Sequence, residues 1–205
     1  MPVHEEITAR TALRMTEDEF VAWADDDTRA EYVDGEVIVL SPESRVDEDI
    51  RWLIGGALRA FVERHKVGRV YGPNMLVRLR TGVRRTPDLL FVSAAHLDRI
   101  REAHVEGAPD LIMEIVSRDS AARDWHDKFA EYEAAAVREY WIVDPAARRV
   151  DVYALDSAGR YSAQPQTEGA WRSTAVPGFF IRPEWLWQEP LPETIELLRA
   201  LGVIN

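Results

Sequence analysis

The chain has 205 residues, 46% hydrophobic and 30% charged, with a net charge of −11 and no cysteine. That length suffices for one large domain whose core needs no staples, and the lack of cysteine excludes disulfides and thiolate metal sites, so a cytoplasmic protein is expected. No apolar run approaches a membrane span, and the negative charge argues against coating nucleic acid by bulk electrostatics, though not against a nuclease whose acidic site is offset by metal.

Residues 1–15 read as a loose polar lead-in without an apolar signal core, and 16–205 as a single domain. Thr16-Glu17-Asp18-Glu19 has the pattern of a capping box opening a short helix through Trp23. Glu31-Tyr32-Val33 and Glu36–Leu40 flank Asp34-Gly35, a strong hairpin signal, and Ser41-Pro42 ends the second strand. A helix of about twenty residues follows, with Ile50, Leu53, Ile54, Ala57, Leu58 and Phe61 at helical spacing and Gly68 closing it. Strands are expected over about 70–80 and 88–92, a short helical stretch over 94–102, and a strand over 111–116. A second long helix is expected over about 120–136, then strands at 140–143 and 150–153 around Pro145. The tail adds weak strand signals near Tyr161, Trp171 and 179–181 and a final helix near 193–200. The pattern predicts an α/β fold, one mixed β-sheet flanked by two long helices.

Two carboxylates interrupt apolar runs: Asp88 before Leu89-Leu90-Phe91-Val92, and Glu114 inside Leu111–Val116. Such acids are costly to bury unless something pairs with them. Asp110 competes for the first position, but it shares a strand with Glu114 and lies about 13 Å from it, too far to share one ion. Neighbouring strands are about 4.8 Å apart, so Asp88 and Glu114 can grip one cation between them. Carboxylates about 4 Å apart repel by roughly 4 kcal/mol at an effective dielectric of 20 and need a counter-charge. Oxygen donors suit Mg²⁺ or Mn²⁺, with the Ile115 carbonyl as a further ligand. Only Lys66 and Lys128 are lysines among 25 basic residues. Lys128, on the helix after the second acidic strand at the margin of the Trp125, Phe129 and Ala136 stripe, is placed to orient the attacking water or stabilise phosphorane charge. The arginines Arg78, Arg80, Arg84 and Arg85 form a cluster able to meet phosphates.

Glu31–Glu36, Pro87–Val92, Gly107–Ser117 and Glu139–Pro145 together resemble the bacterial Uma-two-type family, long labelled a domain of unknown function, within the PD-(D/E)xK nuclease superfamily. The resemblance covers roughly 16–155, leaving 156–205 as a C-terminal extension. It implies a restriction-endonuclease-like core, Mg²⁺ dependence and often a homodimer. It carries Asp88 and Glu114 over as metal-binding acids, Lys128 as the helix lysine and Glu31 as a further, early acid in the metal shell. Two departures stand out: Val116 occupies the position of the superfamily's usual strand lysine, and Asp47 stands where family members often carry histidine.

Blander roles exist for each residue. Asp88 can bond nearby amides, Glu114 can pair with a core-edge arginine, Lys128 can sit on a solvated face with Asp124, and Glu31 can be an ordinary hairpin residue. His126 reads as an exposed helix residue, and the five histidines lack zinc-hydrolase spacing. Trp171, Trp185, Trp187, Phe179 and Phe180 read as packing or a dimer face rather than a base-stacking platform. The sequence therefore predicts a metal-dependent endonuclease that hydrolyses DNA phosphodiesters by metal-activated water, without a covalent intermediate. Its rivals are a catalytically weak or inactive nuclease-fold protein that binds a partner, and an accessory subunit that recognises DNA only within a complex.

Overall fold

A computed structural model describes residues 13–24, 29–41, 44–116 and 123–205, with the side chains of 123 and 124 outside the description. After the strand β1 (Leu13–Arg14), Thr16 caps helix α1 (Glu17–Trp23) with both halves of the expected capping box in place. The hairpin of β2 (Ala30–Val33) and β3 (Glu36–Val39) turns through Asp34 and Gly35, both at positive φ, as its Asp-Gly turn requires. Helix α2 (Arg45–His65) buries all six of the spaced apolar residues. It ends at Lys66 in the left-handed conformation, two residues before the glycine expected to close it. Gly68 instead opens β4 (Gly68–Tyr71), where a Cβ would come within 2.2 Å of the Val92 carbonyl oxygen.

The predicted strand over 70–80 is two strands. Gly72-Pro73-Asn74 separates β4 from β5 (Leu76–Arg80), and proline cannot donate to a ladder. Then come β6 (Val83–Arg85), β7 (Leu89–Ser93), a 3₁₀ turn over Ala94–Arg99, β8 (His104–Glu106) and β9 (Leu111–Ile115). The described part of the second long helix is a π-helical turn, Arg123–Asp127, running into α3 (Lys128–Ala134); 120–122 lie outside the described residues. The chain finishes with β10 (Glu139–Asp144), β11 (Arg149–Leu155), β12 (Tyr161–Ala163), β13 (Trp171–Arg172), β14 (Phe180–Ile181), α4 (Pro183–Leu186) and α5 (Thr194–Ala200).

The expected mixed sheet runs β12-β11-β10-β9-β7-β4, with β9 and β10 parallel and the other pairs antiparallel. A second six-stranded sheet, β1-β3-β2-β6-β5-β8, was not anticipated. Strand alternation divides the first sheet into two apolar faces. Leu89, Phe91, Leu111, Met113, Trp141 and Val143 pack against α2 and the C-terminal segment, joined by Phe179, Trp171, Trp185 and Trp187 as packing residues. Leu90, Val92, Ile112, Tyr140 and Ile142 pack on the other side with Val77, Val105 and Tyr132. The second sheet carries α1 on its own outer face through Phe20, Ala30, Tyr32 and Val37. The site lies between the two sheets, on the Tyr132 side.

Glu139 ties the C-terminal extension to this core. Its carboxylate accepts the Trp141 indole N–H at 2.5 Å, the Thr174 N–H and hydroxyl at 2.5 Å each, and the Ala175 N–H at 2.9 Å. Glu139→Ala orphans all four donors at a fully buried position, and a loss of about 3 kcal/mol is expected. Denaturant unfolding checks this, and a change within experimental scatter would show that the clamp is energetically idle.

Candidate active site

Two opposed strand ends bring Asp88 and Glu114 together. β7 and β9 pair with Leu89 opposite Met113 and Leu90 opposite Ile112, so one further step of the same register sets Asp88 opposite Glu114. Directly opposed residues of an antiparallel pair share a face. The Asp88 Oδ2 accepts the Ile115 backbone N–H at 2.7 Å, while Oδ1 meets Arg51 of α2 at 3.3 Å and Arg29 at 3.6 Å. Both acids are buried, Asp88 6% and Glu114 3% exposed.

Lys128 meets Glu114 from α3. Its ammonium lies 2.9 Å from Glu114 Oε1 and 3.2 Å from Glu31 Oε1, and the side chain is buried rather than solvated. The Tyr132 hydroxyl, one helical turn on, donates to the same Glu114 Oε1 at 2.7 Å. Burial, the Glu114 and Glu31 charges and Tyr140 hold the Tyr132 phenol far above its ordinary titration range, so it remains a donor at any working pH. Residue 116 shares the Glu114 face by alternation, and Val116 packs there in the apolar core.

Glu31 reaches the cluster because Ala30 and Tyr32 face α1 while it faces the other way. Tyr32 pairs with Arg84 and Val33 with Val83, so the same register sets Glu31 against Arg85. Arg85 donates to Glu31 Oε2 at 2.7 Å and grips both oxygens of Glu131 at 2.7 Å each. The Thr86 N–H adds a longer bond to Glu31 at 3.4 Å. Burial by itself pushes the Glu31 carboxyl up, but Lys128 and Arg85 overcome it and hold the group at about 2.

Other expected residues fall elsewhere. Asp110 lies just before β9, four residues ahead of Glu114, and accepts the Ser93 N–H at 2.7 Å and His96 at 2.9 Å instead of joining the Glu114 cluster. Asp47 forms the α2 capping box with Ser44, and His126 is exposed. The four-arginine cluster does not form one phosphate-binding patch. Arg84 and Arg78 converge on Glu17 of α1, Arg78 also takes Glu106, Arg80 takes Asp34, and Arg85 belongs to the buried site. Arg51, Arg85, Glu131 and Tyr132 are site residues that sequence reasoning missed. Only the helical spacing of Glu131 and Tyr132 from Lys128 hinted at them.

Among the described residues no three His, Asp or Glu side chains converge closely enough to enclose an ion. Mg²⁺, however, is commonly held by one or two carboxylates and completes its shell with water and substrate phosphate. An all-oxygen pair from opposed strand positions fits that requirement.

This arrangement of sheets and helices is that of a restriction-endonuclease-like α/β protein. Residues 17–184 match the model of the Uma2 family, described as putative restriction endonuclease, and the chain belongs to that family. The match runs further toward the C-terminus than the motifs alone indicated. Among solved structures, the chain is similar to the crystal structure of a putative nuclease belonging to DUF820 from Anabaena variabilis ATCC 29413. The TM-score is 0.70 at 16% identity, over 84% of this chain and 97% of that one, a likeness of fold. No curated protein matches the chain. No helix among the described residues is long and apolar enough to cross a membrane.

Proposed function

We propose that this protein is a metal-dependent endonuclease that hydrolyses DNA phosphodiester bonds. The observation that carries the reading is the opposition of Asp88 and Glu114 across β7 and β9, with the Lys128 ammonium seated on Glu114. Asp88 and Glu114 would hold Mg²⁺ or Mn²⁺, with the Ile115 carbonyl as a further oxygen, while Glu31, taken up by Lys128 and Arg85, would hold the ammonium rather than the ion. When bound, the ion supplies Lewis-acid polarisation of a phosphoryl oxygen and lowers the pKa of water.

The chain's own groups do the rest. Asp88 is oriented by the Ile115 N–H, and Glu114 by the Tyr132 hydroxyl. Lys128 brings a compact cation to the place where negative charge grows on the phosphorus oxygens. Arg51 and Arg29 balance the Asp88 charge while no substrate is present. The test is supercoiled plasmid incubated with Mg²⁺ or Mn²⁺. Nicking or linearisation that stops when EDTA removes the ion supports the reading; intact plasmid with either metal, from folded protein, sinks it.

One observation favours the accessory-subunit reading: Arg78, Arg80 and Arg84 are each occupied by an acid of the same chain, in a molecule of net charge −11. On that reading the protein binds duplex DNA only with a partner present. Gel-shift titration of the purified chain separates the two, since autonomous binding in Ca²⁺ argues for the enzyme.

A further inference from the structure

The Lys128 ammonium is held by a closed ring of side chains that extends beyond the metal-binding acids. Lys128 meets Glu31 Oε1; Arg85 holds the other oxygen of Glu31; and Arg85 turns its remaining edge onto both oxygens of Glu131. Glu131 stands three residues after Lys128 on α3, which closes the ring through the helix backbone. Arg85 is 1% exposed, and Glu31 is fully buried. We propose that Arg85 and Glu131 are positioning residues, which fix the Lys128 ammonium by locking the carboxylate that faces it.

The geometry demands these residue types. A lysine stem has four rotatable carbons, and Glu114 alone would restrain its head at one point. A second restraint from Glu31 defines its place only if that carboxylate cannot turn. Arg85 prevents turning because its planar fork engages two acids at once, which an ammonium at the same position would not do. Glu131 takes up the guanidinium charge that would otherwise draw Glu31 away from Lys128. The groups that meet Lys128 include Glu31 from β2 and Glu114 from β9; Tyr132 of its own helix shares the Glu114 oxygen, and Arg85 from β6, backed by Glu131, stands behind Glu31. The catalytic consequence rests on the nuclease reading; the positioning itself does not.

Two lysines make the test direct. In protein labelled with ¹³C,¹⁵N-lysine, Lys66 at the exposed end of α2 reports a solvated side chain, and Lys128 is the only other signal. Without metal, the Lys128 ammonium of wild type is expected to show an order parameter near ~0.85, as for rigid groups, and Lys66 a far lower one. Arg85→Gln removes one of the two cations that hold the buried Glu31 and risks unfolding, so Glu131→Gln, at a side chain 22% exposed, is the decisive variant. With its amide spectrum otherwise unchanged, Lys128 order is expected to fall below ~0.6. In the cleavage assay kcat should drop about tenfold with KM and Mn²⁺ affinity held. A lowered melting temperature with Lys128 as ordered as in wild type would overturn the proposal and leave the ring a packing device. If wild type neither binds Mn²⁺ nor cleaves DNA, the nuclease reading fails, while Lys128 order still decides the positioning role.

Discussion

Asp88→Asn is expected to abolish Mn²⁺ binding and slow DNA cleavage at least about a hundredfold, the order seen when even outer partners of a metal site are lost, while the protein stays folded. Asparagine is nearly isosteric and keeps a side-chain oxygen to accept the Ile115 N–H, so the end of β9 remains anchored. What it removes is the charge. Arg51 retains Glu48 as an ion-pair partner, and Arg29 is partly exposed, so neither guanidinium becomes an uncompensated buried cation. The stability loss should be about 1 kcal/mol, a shift of a few degrees in melting temperature. Alanine at the same position would orphan the Ile115 amide and blur that separation of folding from function. Asp110→Asn is the matched control: that acid serves Ser93 and His96, and cleavage should persist at the wild-type rate. Calorimetric Mn²⁺ titration and plasmid nicking on both variants check the pair. Wild-type cleavage by Asp88→Asn would remove Asp88 from the site.

The parts of the site that were legible in the sequence are those in which a residue contradicts its surroundings. Glu114 stands inside an apolar strand, Asp88 opens another, and Lys128 is one of two lysines in an arginine-rich chain. Each violates a local expectation, and each proved to be buried beside an opposite charge. Their partners carry no such mark. Arg84 and Arg85 are adjacent in sequence and look alike, yet strand alternation sends one to Glu17 on α1 and the other to Glu31 between the sheets. Which goes where depends on the register of β6 against β2, and Val83-Arg84-Arg85 is too short and too polar to announce itself as a strand. For the same reason the basic cluster was read as a phosphate-binding patch, when it is four arginines distributed over three separate ion-pair sites.

The fold divides along similar lines. Helix α2 and the β2–β3 hairpin were readable because a 3.6-residue period and an Asp-Gly turn are local signals. The second sheet was not, because its membership rests on pairings distant in sequence, such as β5 with β8 and β2 with β6. Pro73 was a usable signal that the strand over 70–80 breaks. The break lets β4 join one sheet and β5 the other, and this division places Glu31 over the Glu114 cluster.

Glu31 gives a large effect on stability that depends on pH. Its folded value of about 2 lies below the ordinary 4.5, in spite of burial, because Lys128 and Arg85 both favour the carboxylate. A lowered folded pKa makes the native state bind fewer protons than the unfolded chain. The stabilisation is therefore complete above about pH 4.5 and is lost as pH falls toward 2. That lowering corresponds to about 3 kcal/mol at neutral pH. Glu31→Gln removes the ionisation while keeping the shape, and leaves Lys128 with Glu114 and Arg85 with Glu131 as remaining anions. Wild type and variant should therefore differ by about 3 kcal/mol at pH 7 and converge near pH 2. Denaturant unfolding of both proteins across that range measures the gap directly, and titrating groups distant from Glu31 cancel in the difference. A gap that stays constant with pH would mean that Glu31 contributes by packing alone, and that its charge does not hold Lys128 and Arg85 in place.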